Sequence, residues 1–405
     1  MEAERRALRA RPKTVTRAPH ARVQIPFAVA NQLIADALQP PPELPVPLAH
    51  LGPLAGAIGD VRAIPREVTL GPAAEPGRVH VAVRVELADA TGELLAVRAS
   101  GDVAPVVERE GGDGGNDPGR LAFSIDTAQL SRLEPELGPR AALQLGALLQ
   151  ARLPPAMRDR IPRFVVDRVA AGVIEEAIAR GSRLVHEALP QRLRDRTRIH
   201  VELPDVPIAR VELTTTKAAL ALDVFTTLPV QAGVADVPAA PDAILVQIAG
   251  DTAVRAANWG IERGLLPQRY TRKLQPATDG AYVPHFEWRA GDPARPLVVH
   301  MFRVEGGCAH FAVGLQPRVE VVDGKVRAWT DNRQLEHADA PLALELLART
   351  KALVERSTSS KKEGPGSVRL TVGGRELTPR LLRAEIVGDE LRAAMALAIG
   401  PRPAR

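Results

Sequence analysis

Cysteine occurs once in this 405-residue sequence, at Cys308, so no intrachain disulfide forms and the fold must stand on packing alone. Aromatic residues are also scarce, 3% of a chain that is 45% hydrophobic. Its cores must therefore be built from Val, Leu, Ile and Ala. Such walls are smooth and aliphatic, and fit alkyl chains as naturally as planar ligands; high-GC codon usage, which favours Ala, Arg, Gly and Pro, yields the same composition. No run approaches the ~18 consecutive apolar residues that would span a bilayer, and residues 1 to 22 hold no apolar core of a secretory signal. The expected location is cytoplasmic or peripheral to a membrane for the chain as it stands, and periplasmic if a leader precedes it.

Signatures of chemistry are missing too. There is no G-x-S-x-G elbow, H-E-x-x-H helix, Walker loop or dinucleotide glycine fingerprint. The glycine-rich run Glu110 to Gly119 lacks the strand-to-helix context that phosphate cradling needs, and reads as a loop. No cofactor and no enzymatic activity are expected. The nearest thing to a ligand cluster is His300, Cys308 and His310 around a hairpin containing Gly306 and Gly307, but zinc wants three or four ligands and no further one is evident. These read as ordinary strand residues, with no metal. His285 and Glu287 share one strand face, yet acid/base work needs a pocket around them.

The net charge of +5 is unevenly spread. Arg5, Arg6, Arg9, Arg11, Lys13, Arg17 and Arg22 face only Glu2 and Glu4 in residues 1 to 22. That stretch reads as a disordered basic tail, able to touch an anionic membrane surface at ~1 kcal/mol per basic residue. Arg192, Arg194, Arg196 and Arg198 follow a helical pattern and complement its dipole. Nucleic-acid recognition would want aromatic platforms beside the charge, and none is present.

What is there is an echo. Val23-Gln24-Ile25 runs into a helical segment from Phe27 to Leu38, and Val246-Gln247-Ile248 runs into another from Asp251 to Leu265. A strand leading into an amphipathic helix, met twice nearly half a chain apart, points to an internal duplication. Between the echoes, Arg78 to Leu87 alternates Val79, Val81, Val83, Val85 and Leu87 with polar residues, the period of a strand with one buried face. Leu94 to Val106 and Leu121 to Ile125 read as its partners in a meander. From Ile161 to Leu189 the apolar positions Ile161, Val165, Val169, Val173, Ile174, Ile178, Val185 and Leu189 predict one long helix, stopped by Pro190. Ile199 to Leu203 then forms a hairpin with Val211 to Leu213. The second round predicts strands over Ala281 to Arg289, Pro296 to Val304, Cys308 to Val322 and Lys325 to Thr330, with Asp323-Gly324 as a turn. A helix over Pro341 to Glu355 and strands at Val368 to Val372 and Leu381 to Ile399 close it.

This order resembles the tubular lipid-binding (TULIP) superfamily, in the two-domain arrangement of bactericidal/permeability-increasing proteins, and suggests a bacterial member. The residues carrying the resemblance are those at 23 to 38, 245 to 266 and 161 to 189. The resemblance implies an α+β fold of two tandem elongated domains, 23 to 230 and 231 to 405, each a long amphipathic helix wrapped by a highly curved antiparallel sheet. It implies binding and transfer of phospholipid or fatty acyl chains in aliphatic grooves. The groove residues are then Phe27, Leu33, Ile34, Val165, Val169 and Ile178 in the first round, and Val254, Ala257, Ile261 and Leu346 in the second. The competing readings are a structural or interaction protein with dry β-rich domains, and a hydrolase of unrecognised type.

Overall fold

The computed structural model describes residues 15–46, 61–89, 92–110, 120–124, 132–136, 162–168, 198–202, 206–271, 276–305, 308–323, 325–340, 362–364, 370–372 and 375–399, with isolated positions between them. In the first third of the chain lie β1 (Ala21–Pro26), β2 (Leu44–Val46), β3 (Val61–Pro72), β4 (Val79–Asp89), β5 (Gly92–Val103), β6 (Val106–Glu110), β7 (Arg120–Ser124) and β8 (Arg132–Glu136). The middle holds β9 (Ile199–Glu202), β10 (Ile208–Thr215), β11 (Ala219–Thr226) and β12 (Ile244–Ala249). The rest is β13 (Tyr282–Trp288), β14 (Leu297–Arg303), β15 (Ala309–Val322), β16 (Lys325–Asp339), β17 (Lys362–Gly364), β18 (Leu370–Val372), β19 (Arg375–Val387) and β20 (Glu390–Ile399). Two helices are bounded among the described residues, α1 (Phe27–Ala37) and α2 (Gly250–Glu262).

That inventory overturns the expected architecture. The chain is built mostly of antiparallel sheet, and α1 and α2, of 11 and 13 residues, are roughly 17 and 20 Å long. No long amphipathic helix wrapped by a curved sheet is found among the described residues. The physical reason lies in the periodicity, because the apolar demand is met by period-2 strands that cover one another and leave each helix only a short seat. Of the helix expected over Ile161 to Leu189, residues 163–168 are helical; Val169, Ile178 and most of the remainder lie outside the described residues, as does the helix expected over Pro341 to Glu355 with Leu346. The glycine-rich loop at 111–119 lies outside them too.

The two echo strands meet. β1 and β12 are antiparallel neighbours with Val23 opposite Val246. They sit inside a ten-stranded sheet ordered β10-β11-β1-β12-β20-β19-β18-β9-β7-β6. Outward from the β1/β12 seam each side begins with a hairpin, β11 then β10 on one side and β20 then β19 on the other, so a half-turn about the Val23–Val246 pair maps one order onto the other. Strands from 23 to 230 and from 231 to 405 thus share one sheet. The second echo pairs as well, with Val201 of β9 opposite Leu370 of β18. The hairpin expected between Ile199 to Leu203 and Val211 to Leu213 is replaced by β9 lying between β7 and β18. Likewise β6 and β7 leave the meander of β3, β4 and β5 and join the large sheet.

The seam is polar at its centre. Gln24 and Gln247, the middle residues of the two Val-Gln-Ile segments, are 1% and 0% exposed and lie side by side, Nε2 of Gln24 3.4 Å from Oε1 of Gln247. Gln24 also donates to the Val237 carbonyl, and Gln247 to the Ala235 carbonyl and to Glu390. Arg22 is not part of a free basic tail. It is locked against the buried Asp223 at 2.6 Å and reaches Asp236, and Asp223 holds its guanidinium even more firmly charged than usual. Within the stretch expected to be disordered, Thr16 N–H donates to Val230 and His20 N–H to Val224.

Each helix follows its strand without a loop and is pinned to a smaller sheet by the same device. Asn31 of α1 donates to the Leu70 carbonyl (3.0 Å) while Leu70 N–H donates to Asn31 Oδ1 (2.6 Å). Asn258 of α2 makes the same pair of bonds with Phe286 (2.7 and 2.8 Å). Both carboxamides act as one more rung on β3 and β13, filling strand groups that have no strand partner there.

Candidate functional site

Two five-stranded sheets flank the seam, β2-β3-β4-β5-β8 and β13-β14-β15-β16-β17. In the first, Val79, Val81, Val83, Val85 and Leu87 of β4 are buried as their alternation predicts. They join Val97, Ala99 and Val103 of β5, Val68 and Leu70 of β3, and Phe27, Ala30 and Ile34 of α1. Val166 and Ala170 pack on the same layer. The layer is aliphatic except for Phe27.

The expected groove residues divide. Phe27 and Ile34 enter this layer, whereas Leu33 turns the other way with Ala37 to meet Leu377 and Leu397, so α1 is apolar on two sides. Val165 is only half-buried, and its neighbour Val166 takes the inward place. Val254 and Ile261 are buried on α2 and Ala257 is half-buried. Val169, Ile178 and Leu346 lie outside the described residues, so the described members of the two expected grooves are those placed here.

The second sheet carries on one face what the first does not. His285 of β13 stands opposite His300 of β14, Phe302 opposite His310 of β15, and Ala312 opposite His337 of β16. Four of the chain's nine histidines thus form a row across four strands. His300 and His310 are 6% and 5% exposed. Nδ1 of His300 lies 3.1 Å from Nε2 of His310, and Nε2 of His300 lies 3.0 Å from Oε2 of Glu287. The His310 ring stacks on Phe302 at 4.4 Å, with His337 at 5.0 Å and His285 6.3 Å from His300. The N–H of His300, with Arg289 behind it, holds the Glu287 carboxyl below the ordinary carboxylate range.

Of the expected cluster, His300 and His310 come together directly, while Cys308 is exposed. Glu287 bonds His300 across the strands. Phe302 and His337 were not among the expected site residues. The signal that finds them is register, since a hairpin pairing fixes which alternate residues share a face. Among the described residues no group of three or more His, Cys, Asp or Glu is placed to hold a metal ion. No described helix is long and apolar enough to cross a membrane.

The fold and this site define a class, an antiparallel β protein whose two halves flank a shared sheet, one half aliphatic and the other histidine-bearing. No protein-family model matches the chain, and neither does any curated protein. Among solved structures it is similar to P47 of Clostridium botulinum E1, with a TM-score of 0.43 and 7% identity over 93% of this chain and 98% of that one. It is also similar to P47 from Clostridium botulinum A2, with a TM-score of 0.40 and 5% identity over 93% and 97%.

Proposed function

We propose that this protein binds lipid acyl chains, by burial alone and without catalysing a reaction. The observation that carries the reading is the aliphatic layer between the β3-β4-β5 face and α1, to which Val166 and Ala170 add a second helical cover. An acyl chain entering between helix and sheet would exchange one aliphatic neighbour for another. At ~0.8 kcal/mol per buried methylene, a chain of about 16 carbons gains on the order of 10 kcal/mol before ordering costs. The long-helix cradle that the family resemblance implies is no part of this proposal. The ligand would lie under short helical covers that lift. Peripheral contact with anionic lipid would come from the basic residues preceding Arg22, which is itself committed to Asp223.

A second reading has its own support. Val81, Val83, Ala99 and Ala170 are 0% exposed, the packing of a dry scaffold. Organic extraction of the purified protein followed by mass spectrometry separates the two. Phospholipid or fatty acid at substantial occupancy is the expected result. Extraction that releases none overturns the lipid reading in favour of the scaffold.

A further inference from the structure

Phe164 is the most exposed large hydrophobic side chain among the described residues, with 71% of its surface open to solvent. It stands on a helical stretch, 163–168 with 170–172 beyond, whose other side is already committed. Val166 and Ala170, four apart and so on one side, are 4% and 0% exposed and packed into the aliphatic layer. At about 100° per residue, Phe164 lies roughly 160° around the helix from Val166, facing away from that layer. The charges at its end of the stretch are mostly of one sign. Arg160, in the turn before the helix, and Arg163 and Arg168 are exposed, whereas Asp167 is half-buried. From 158 to 168 the sequence sets four arginines against Asp159 and Asp167, and the next acid, Glu175, follows about two turns after Arg168.

We propose that this surface rests on an anionic lipid bilayer, with Phe164 entering the acyl boundary and Arg160, Arg163 and Arg168 meeting the anionic headgroups around it. The spacing suits that division. Phe164 and Arg168 share one side of the helix, and the aliphatic stem of an arginine lets its charged end stay at headgroup level while the ring goes deeper. The choice of a bilayer over a protein partner rests on the acyl-chain reading. The segment that seals the aliphatic layer through Val166 and Ala170 turns its outer side to the source of acyl chains, so a chain leaving the bilayer meets the very cover it has to pass. The contact is separate from that of the basic residues before Arg22.

The test is flotation of the full chain with vesicles of phosphatidylcholine, with and without phosphatidylserine. The wild type should float with the anionic vesicles and less so as salt is raised. Phe164→Ala leaves every charge in place and removes no buried group, and should weaken binding about tenfold. Arg163→Ala and Arg168→Ala should each weaken it about fivefold. Wild type that stays unbound leaves this surface to a protein partner and overturns the docking, as does F164A floating as well as the wild type, the result expected if the basic residues before Arg22 act alone. Phe164→Cys carrying an environment-sensitive fluorophore, in a Cys308→Ser background, should shift to the blue on anionic vesicles. An unmoved spectrum in floating protein would contradict the proposal. Acyl chains in the organic extract without vesicle binding would sink the docking alone, and vesicle binding through Phe164 with an empty extract would sink the carrier reading alone.

Discussion

Phe27 and Gly250 open the two helices at the same place after equivalent strands, and the structure treats them in opposite ways. Phe27 buries its own ring in the aliphatic layer. Gly250 has no side chain, and the indole of Trp288 from β13 lies so close that a Cβ built on Gly250 would come within 2.2 Å of it. That indole is held by its N–H bond to Asp389. Further out the contrast widens, since valines line the sheet beside α1 while histidines and Glu287 line a face of the sheet beside α2. What stays common is the frame: strand into helix, an asparagine rung on the neighbouring sheet, and a hairpin beside the seam. The shared features are backbone pairings, and the differences are side chains on strand faces, which sheet pairing leaves free to vary.

That comparison can be broken most sharply with a buried charge. Val83→Asp places a carboxylate at a 0%-exposed position with no partner and should cost more than about 4 kcal/mol in urea denaturation. His300→Leu in the other sheet strips Glu287 of a partner and should cost only about 2 kcal/mol. Equal costs would mean that the two faces are not chemically distinct. Next comes the helix start. Phe27→Ala should lose about 3 to 5 kcal/mol as a cavity, and Gly250→Ala about 1 to 3 as overpacking that Trp288→Ala then relieves. Failure of that rescue would show that the indole is not the obstacle.

Asn31→Ala and Asn258→Ala test the common frame. Each should cost about 1 to 3 kcal/mol and speed exchange at the Leu70 or the Phe286 amide respectively. Matching losses uphold the equivalence of the two units. The smallest effect expected belongs to His20 beside the seam. Burial pushes its imidazole below the ordinary value, against the opposing pull of Asp251, and its bare Nδ1 accepts from Thr226 N–H at 3.0 Å. The unfolded chain therefore takes the proton first as pH drops through ~6.5, and stability present above that pH is lost progressively below it. Thermal midpoints of the wild type should decline between pH 7.5 and 5.5, and His20→Asn should show a shallower decline from a lower starting point.

Much of the frame is legible in the amino-acid sequence where period-2 alternation runs long. β4 follows from Val79 to Leu87, and β13, β14 and β15 lie close to their expected limits. Pairing over distance is not legible, because alternation says which face is apolar and not which strand lies alongside. That is why β9 lies between β7 and β18 in the ten-stranded sheet and not in a hairpin with β10. Helix phase fails for a different reason: Phe164, Val165 and Val166 are three apolar residues in a row, and the structure exposes the first, half-buries the second and buries the third. Arg22 reads as one more tail charge until Asp223, 201 residues away, is placed beside it. The histidine row was half visible, as His300 and His310 about a hairpin. His337 and the bond to Glu287 needed the register of three strand pairs.

The central claim, that the aliphatic layer under α1 takes up acyl chains, is open to one direct measurement. A fatty acid bearing a photoactivatable diazirine, irradiated with the full chain and mapped by peptide mass spectrometry, should label residues 27–37 and 79–103 and leave residues 282–339 unlabelled. Adducts concentrated in 282–339, or none in either half, would contradict it.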